Sequence, residues 1–73
     1  MRTFAYLVTL SWHMDGGVHT HTDSGTYEAE AFETMAEIRD SVLEEARLSL
    51  GVPYRTPYAV TMFWLERNEA PAE

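Results

Sequence analysis

Apolar and polar positions alternate along the first part of the chain. The even positions from Phe4 to Met14 are all apolar, whereas the odd positions between them include several polar residues. This period of two predicts a strand with one buried face. Residues 15–17 (Asp-Gly-Gly) favour a turn, and residues 18–22 are again of types common in strands. We therefore expect a β-hairpin over residues 4 to about 24.

The length of the hairpin loop decides which way the histidines of the second strand point. A two-residue loop would place His19 and His21 on the face of Trp12. A three-residue loop over residues 15–17 would place them with His13 on the opposite face. We favour the three-residue loop, because a type I turn followed by glycine is a common connection and because it avoids burying two imidazoles. A slip of one residue would reverse the faces.

A helix is expected after the hairpin. Thr34 and Glu37 have the spacing of a capping box, so we place the helix start near Met35, with a start near Thr26 as the alternative. Gly51 is typical of the residue that ends a helix. In the alternative, Thr26 caps a long helix; otherwise the second strand continues through Thr26, Tyr27 and Ala29, with a bulge at residues 24–25. The expected apolar stripe of the helix consists of Met35, Ile38, Val42, Leu43, Ala46 and Leu50.

The last element is predicted to be a strand over residues 58–65. Both of its alternate sets of side chains are apolar, which is typical of a strand covered on two faces. The order β-β-α-β predicts an α+β fold, a three-stranded sheet of order 2-1-3 with one helix packed on one face. We expect residues 1–66 to form a single domain and residues 67–73 to form a flexible C-terminal tail.

One helix covers one face of such a sheet, and the other face is left with large apolar side chains. Contiguous exposed apolar patches commonly mark protein interfaces, so we expect a homo-oligomer or a protein partner. The alternative is that the chain termini or the loop over residues 52–57 fold over the patch. The candidate interface residues are Leu7, Phe63 and Leu65, or Tyr58, Met62 and Trp64 in the other parity, depending on which alternate set faces outward.

Three histidines give a second hypothesis. In the favoured register His13, His19 and His21 share one face of the hairpin, and three imidazoles can hold Zn²⁺ with a fourth position left for water. A flat hairpin offers neither a cleft nor a fixed second shell. Solvent-facing histidine side chains are therefore the simpler interpretation, and a metal-binding module is the first alternative function.

The charge of the chain is strongly acidic. Twelve Asp and Glu stand against five basic residues, all arginine, for a net charge of −7. This balance argues against direct binding of nucleic acid or anionic lipid. Most of the negative charge lies in residues 28–45, which suggests a second alternative, an acidic decoy or inhibitor of a basic, nucleic-acid-binding protein. The candidate acidic surface consists of Glu33, Glu37, Asp40, Glu44 and Glu45.

No catalytic motif is recognisable. The chain has no cysteine, the serines lack a nucleophile-elbow context, and Gly16-Gly17 is not followed by a helix N-terminus that would bind phosphate. We therefore expect neither an enzyme nor a cofactor. No apolar run approaches the about 18–20 residues of a membrane span, and no signal-peptide cleavage site follows residues 1–10. A cytoplasmic location is expected.

The segment Leu7-Val8-Thr9-Leu10-Ser11-Trp12 carries a resemblance to a known group. With Gly16-Gly17, a threonine-rich second strand and a helix capped at Thr34, it resembles short uncharacterised proteins of actinobacteria and of their phages or integrative elements. The resemblance covers the first half of the chain and includes no chemical motif. It implies an accessory cytoplasmic protein and assigns no active site. Together these observations predict a small non-enzymatic interaction module that associates with itself through the helix-free face of its sheet.

Overall fold

A computed structural model describes residues 2–67 of the 73-residue chain. Its elements follow the predicted order: β1 (Arg2–Met14), β2 (Gly17–Ala29), α1 (Met35–Leu50) and β3 (Tyr58–Arg67). The strands form one antiparallel sheet of order β2-β1-β3, so the predicted fold class and strand order are confirmed. Arg67 belongs to β3, and the rest of the predicted tail lies outside the described residues.

The hairpin loop has two residues, and the prediction of a three-residue loop was wrong. Met14 pairs with Gly17, which leaves Asp15 and Gly16 as the turn. Both have positive φ, 54° and 75°. A type I′ turn needs positive φ at both central positions and has the twist of the flanking strands, and Asp-Gly suits it. This backbone geometry outweighs the tendency to keep imidazoles away from the apolar face.

The core lies between α1 and one face of the sheet. The even side chains of β1 form its floor, because alternate residues of a strand point to the same face. Val8 and Leu10 are fully buried there. Ile38, Val42 and Ala46 close the core from the helix, each with no exposed surface. The remaining core residues are Phe4, Tyr6, Trp12, Ala29 and Val52.

Both ends of α1 are fixed by the predicted caps. The Thr34 hydroxyl accepts from the Glu37 amide at 3.2 Å, and the Glu37 carboxylate accepts from the Thr34 amide at 2.9 Å, which completes the capping box. Gly51 takes the left-handed conformation past the last turn. The start of the helix near Met35 is therefore confirmed, although Met35 itself is 54% exposed. β2 continues to Ala29, and its pairing with β1 has no bulge.

β3 differs from its prediction in two ways. A bulge shifts its register, so that Thr9 pairs with Met62 but Leu10 pairs with Val60. The bulge divides the strand, and neither predicted alternate set occupies one face over the whole length. β3 also lies at the edge of the sheet, with Val60, Met62 and Trp64 between 42% and 48% exposed. It is therefore not the strand covered on two faces that the apolar run predicted.

The molecule is longer than its size requires. Its Cα radius of gyration is 13.7 Å, whereas about 11 Å is expected for a compact domain of this length. The strands of the hairpin have 13 residues each and span about 44 Å. The 16 residues of α1 span about 24 Å. One helix therefore covers only part of one face, and the opposite face has no helix over it in the described part of the chain.

Candidate functional site

The helix-free face carries an apolar strip where β3 meets β1. We define the apolar strip as Leu7, Met62 and Trp64. Leu7 pairs with Trp64, and Met62 pairs with Thr9, the next residue of β1 on that face. Met62 is 48% exposed and Trp64 is 45% exposed. Both are large apolar side chains that are half-exposed to water, and they lie side by side.

Beside the apolar strip, the helix-free face carries a ladder of hydroxyl groups. Thr9 and Thr22 approach to 2.8 Å between their side-chain oxygens, and the Thr20 hydroxyl donates to Ser11 at 3.1 Å. Such cross-strand hydroxyl pairs suit a surface that faces water. The face is thus divided lengthwise into a polar part on β2 and an apolar part toward β3.

The other candidate interface residues do not lie on this face. Phe63 pairs with Val8 and Leu65 pairs with Tyr6, which places both on the helix side. Tyr58, which pairs with Trp12, lies there as well. All three are half-buried and pack against the core. The expectation that the last strand would present one complete alternate set outward was wrong because of the bulge, and only Leu7, Met62 and Trp64 remain as one outward group.

A groove runs along the helix side of β3. The helix packs over β2 and β1 and leaves space next to β3. The groove has a volume of about 560 Å³. The guanidinium carbon of Arg39 lies 5.7 Å from the centre of the Phe63 ring, within the range of a cation–π contact. The groove is lined by Met35, Ala36, Arg39, Phe63, Trp64 and Leu65.

The three histidines are divided between the two faces of the sheet. His19 pairs with Trp12 and His21 with Leu10, so both lie on the helix side, whereas His13 lies on the opposite face. The expectation of a shared face for all three was wrong, because it rested on the three-residue loop. Within residues 2–67 no group of three or more His, Asp or Glu side chains is arranged to hold a metal ion.

His19 and His21 surround a buried tryptophan instead. The ring centres of His19 and Trp12 are 5.9 Å apart with an interplanar angle of 16°, a stacked arrangement. The ring of His21 lies 5.5 Å from that of Trp12. The two imidazoles therefore help to bury Trp12, which is 3% exposed and lies near the turn of the hairpin.

The candidate acidic surface includes three carboxylates with local structural roles. Glu33 accepts hydrogen bonds from the Tyr27 hydroxyl at 2.9 Å and from the Glu30 amide at 2.8 Å. The hydrogen bond from the Thr34 backbone, and then that from its hydroxyl, lowers the pKa of Glu37. The hydrogen bond from Arg47 lowers the pKa of Glu44. Asp40 and Glu45 are exposed on the same helix.

A polar contact that the sequence did not reveal joins the helix to the hairpin. Asp23 accepts one hydrogen bond from the Tyr6 hydroxyl and another from the Ser49 hydroxyl, each at 3.2 Å. Burial raises the pKa of Tyr6, and the neighbouring Asp23 carboxylate raises it further. The two-residue loop places Asp23 on the helix side, so the favoured three-residue register hid this contact. Its role is to hold the end of α1 against the sheet.

Comparisons with family models, with curated proteins and with solved structures found no match to this chain. In the part of the chain that the structure describes, no helix is long and apolar enough to cross a membrane. The surfaces themselves therefore carry the functional argument, and the most distinctive one is the apolar strip.

Proposed function

We propose that this protein is a small non-enzymatic interaction module that associates with a second copy of itself through the apolar strip. The observation that carries the proposal is the exposure of Met62 and Trp64 beside Leu7 on a sheet face over which residues 2–67 place no helix. Aromatic residues and methionine are enriched at protein interfaces. The hydroxyl ladder beside the strip would form the polar rim of such a contact.

The dimensions of the face fit a self-complementary contact. The helix-free face measures about 44 Å by about 14 Å, or about 600 Å² before side-chain relief. Two such faces correspond to about 1,200 Å² in total, the lower end of the range for specific interfaces. If a two-fold axis passes between β1 and β3, Leu7 of one copy lies over Trp64 of the other, and Trp64 lies over Leu7. The elongated shape of the single chain also suits a protomer whose sheet is covered by a second copy.

A cytoplasmic location is part of the same proposal. Residues 2–10 have the basic and then apolar character that a signal peptide also has. In the fold they belong to the central strand, and Phe4, Tyr6, Val8 and Leu10 form the floor of the core. Removal of these residues would destroy the domain, and this supports a structural role for the segment and not a targeting role.

Sedimentation equilibrium from micromolar to millimolar protein tests the proposal. We expect the wild-type chain to approach twice the mass of one chain as its concentration rises. The double variant Leu7→Thr, Met62→Thr should remain monomeric, with threonine chosen because it suits a strand. Val18→Thr is the matched control: Val18 is 62% exposed and lies on the same face, opposite His13 and away from the strip. A monomeric wild-type chain, or a double variant that still dimerises, would contradict the proposal.

A further inference from the structure

β3 leaves a row of backbone groups without a neighbouring strand in the described part of the chain. The turn pairs Met14 with Gly17, so the even residues of β1 direct their backbone hydrogen bonds to β2 and the odd ones direct theirs to β3. Leu7 and Thr9 therefore bond to Trp64 and Met62. By the same alternation, the N–H and C=O groups of Phe63 and Leu65 point away from β1, toward the open edge.

The edge has few of the features that usually prevent strand addition. Residues 58–65 contain no charged side chain and no proline. Natural edge strands commonly use lysine, proline or inward-pointing charges to discourage pairing. The bulge beside Thr9 is the exception, and it lies toward the beginning of β3. The edge from Met62 to Leu65 is regular, and the groove runs alongside it.

Arg39 gives this groove a chemical preference. Within residues 2–67 the ion pair joins Arg47 to Glu44, and Arg39 has no carboxylate partner. Its guanidinium lies over the Phe63 ring in a chain with a net charge of −7. The groove thus has apolar walls and one unneutralised cation. An apolar side chain fits the walls, and a carboxylate complements the guanidinium.

We propose that the edge of β3 and the groove beside it bind an extended peptide as a fourth strand. Main-chain hydrogen bonds to Phe63 and Leu65 would hold the peptide, as in other cases of strand addition. Alternate peptide side chains point to the helix side, where one apolar side chain enters the groove and one carboxylate meets Arg39. The partner is therefore a peptide segment of alternating pattern with an acidic residue on its apolar side.

A second copy of β3 fits this site less well than such a peptide. The helix-facing side chains of β3 at the regular part of the strand are Phe63, Leu65 and Arg67. This set offers no carboxylate to Arg39 and brings a second arginine to the same side of the sheet. Pairing of two β3 edges would also leave Leu7 and Met62 of the apolar strip uncovered, because these two residues lie on the face of the sheet opposite the groove.

The probe for this site is an acetylated and amidated heptapeptide of sequence Thr-Val-Thr-Val-Thr-Glu-Thr. Its two valines and its glutamate share one face, and a twin with glutamine in place of glutamate removes only the charge. We expect the glutamate peptide to bind about tenfold more tightly than its twin, which is a typical effect of one charge-assisted contact. Arg39→Gln should abolish the difference between the two peptides. Titrations with each peptide, monitored by the NMR chemical shifts of the protein amides, measure the two dissociation constants.

Hydrogen exchange locates the bound peptide. The amides of Phe63 and Leu65 should exchange rapidly in the free protein and slowly when the peptide is bound. Val60→Pro should weaken binding of both peptides, because Val60 pairs with the even residue Leu10 and its N–H also points to the open edge. Val60→Ala is the matched control. Val60 is 42% exposed, so both variants should fold, which circular dichroism checks.

Several results would overturn the inference. They are the absence of binding of the glutamate peptide at millimolar concentration, an equal affinity for both peptides, and unchanged hydrogen exchange at the amides of Phe63 and Leu65. Protection of these amides in the peptide-free protein that rises with protein concentration would instead identify a second copy as the occupant. The variant Leu7→Thr, Met62→Thr, whose two positions do not line the groove, should bind the peptide normally, so failure of the proposed self-association and failure of the peptide site are distinguishable.

Discussion

A Cβ atom added to Gly25 would lie 3.0 Å from the hydroxyl oxygen of Tyr6 and 3.2 Å from the adjacent ring carbon. The two residues are direct partners in the β1–β2 ladder. The Tyr6 side chain therefore fills the space that a side chain at residue 25 would need. From there its hydroxyl reaches Asp23. The absence of a side chain at Gly25 is thus a condition for the contact that joins the hairpin to α1.

Gly25→Ala should destabilise the protein by about 1–2 kcal/mol, because the added methyl group displaces a rigid and largely buried ring. Elsewhere in a strand the same change stabilises by about 0.5–1 kcal/mol. Gly17→Ala is the control, since an added Cβ there would lie 3.9 Å from the Met14 carbonyl oxygen. Urea denaturation measures the free energy of unfolding of both variants. Equal effects would show that the Tyr6 ring moves aside freely.

Tyr6 also makes the fold sensitive to alkaline pH. Burial and then the Asp23 carboxylate raise the pKa of Tyr6 above its ordinary value of about 10. Because the pKa is higher in the folded state, the stabilisation is complete below about pH 10 and is lost as the pH rises through the folded pKa. Tyr6→Phe should therefore show a smaller loss of stability above about pH 10.

Denaturation curves from about pH 8 to about pH 12 measure this difference, with phenolate absorbance to follow ionisation directly. Tyr54→Phe serves as the control, because the Tyr54 side chain is 78% exposed. Parallel pH profiles for wild type and Tyr6→Phe would contradict the assignment of this alkaline effect to Tyr6.

The parts of the fold that local chemistry determines could be predicted from the sequence. The hydroxyl of Thr34 and the carboxylate of Glu37 have one favourable arrangement, and it begins a helix there. The period of two in β1 likewise identified the buried face. The crossover from β2 to β3 then left few possible strand orders, which is why the order β2-β1-β3 was predictable.

The candidate surfaces depended on a single residue of register, and there the sequence was ambiguous. Asp15 and Gly16 fit both loop lengths, but the choice moves His19 and Asp23 together from one face of the sheet to the other. The bulge beside Thr9 has no signature in the apolar run of β3. Packing of the neighbouring strand sets such a shift, so alternation alone assigned Tyr58 and Trp64 to one face, whereas they lie on different faces in the structure.

The contribution of the capping box to stability should depend on pH in the acid range. Thr34→Ala is expected to destabilise the protein by about 1 kcal/mol, because it leaves the Glu37 amide without its acceptor. The pKa of Glu37 is lowered by the Thr34 backbone and hydroxyl, so its contribution is present above about pH 4.3 and is lost as the pH falls through the folded pKa. Glu37→Gln should therefore flatten the acid side of the stability profile.

Thermal unfolding between about pH 2.5 and about pH 6 checks this expectation. Asp40→Asn is the matched control, because Asp40 is an exposed carboxylate on the same helix outside the cap. If Asp40→Asn flattens the profile as much as Glu37→Gln does, the effect arises from the total charge of the helix and not from the cap.

The stacking of two imidazoles on Trp12 predicts a signature in the NMR spectrum that distinguishes the two hairpin registers. The indole ring current should shift the ring-proton resonances of His19 and His21, whose centres lie 5.9 Å and 5.5 Å from that of Trp12. His13 lies across the sheet and should show no such shift. In Trp12→Leu the resonances of His19 and His21 should return toward ordinary positions at constant pH, while those of His13 stay in place. Unchanged resonances of His19 and His21 in Trp12→Leu would contradict the two-residue turn, because a three-residue loop places both histidines with His13 on the face away from Trp12.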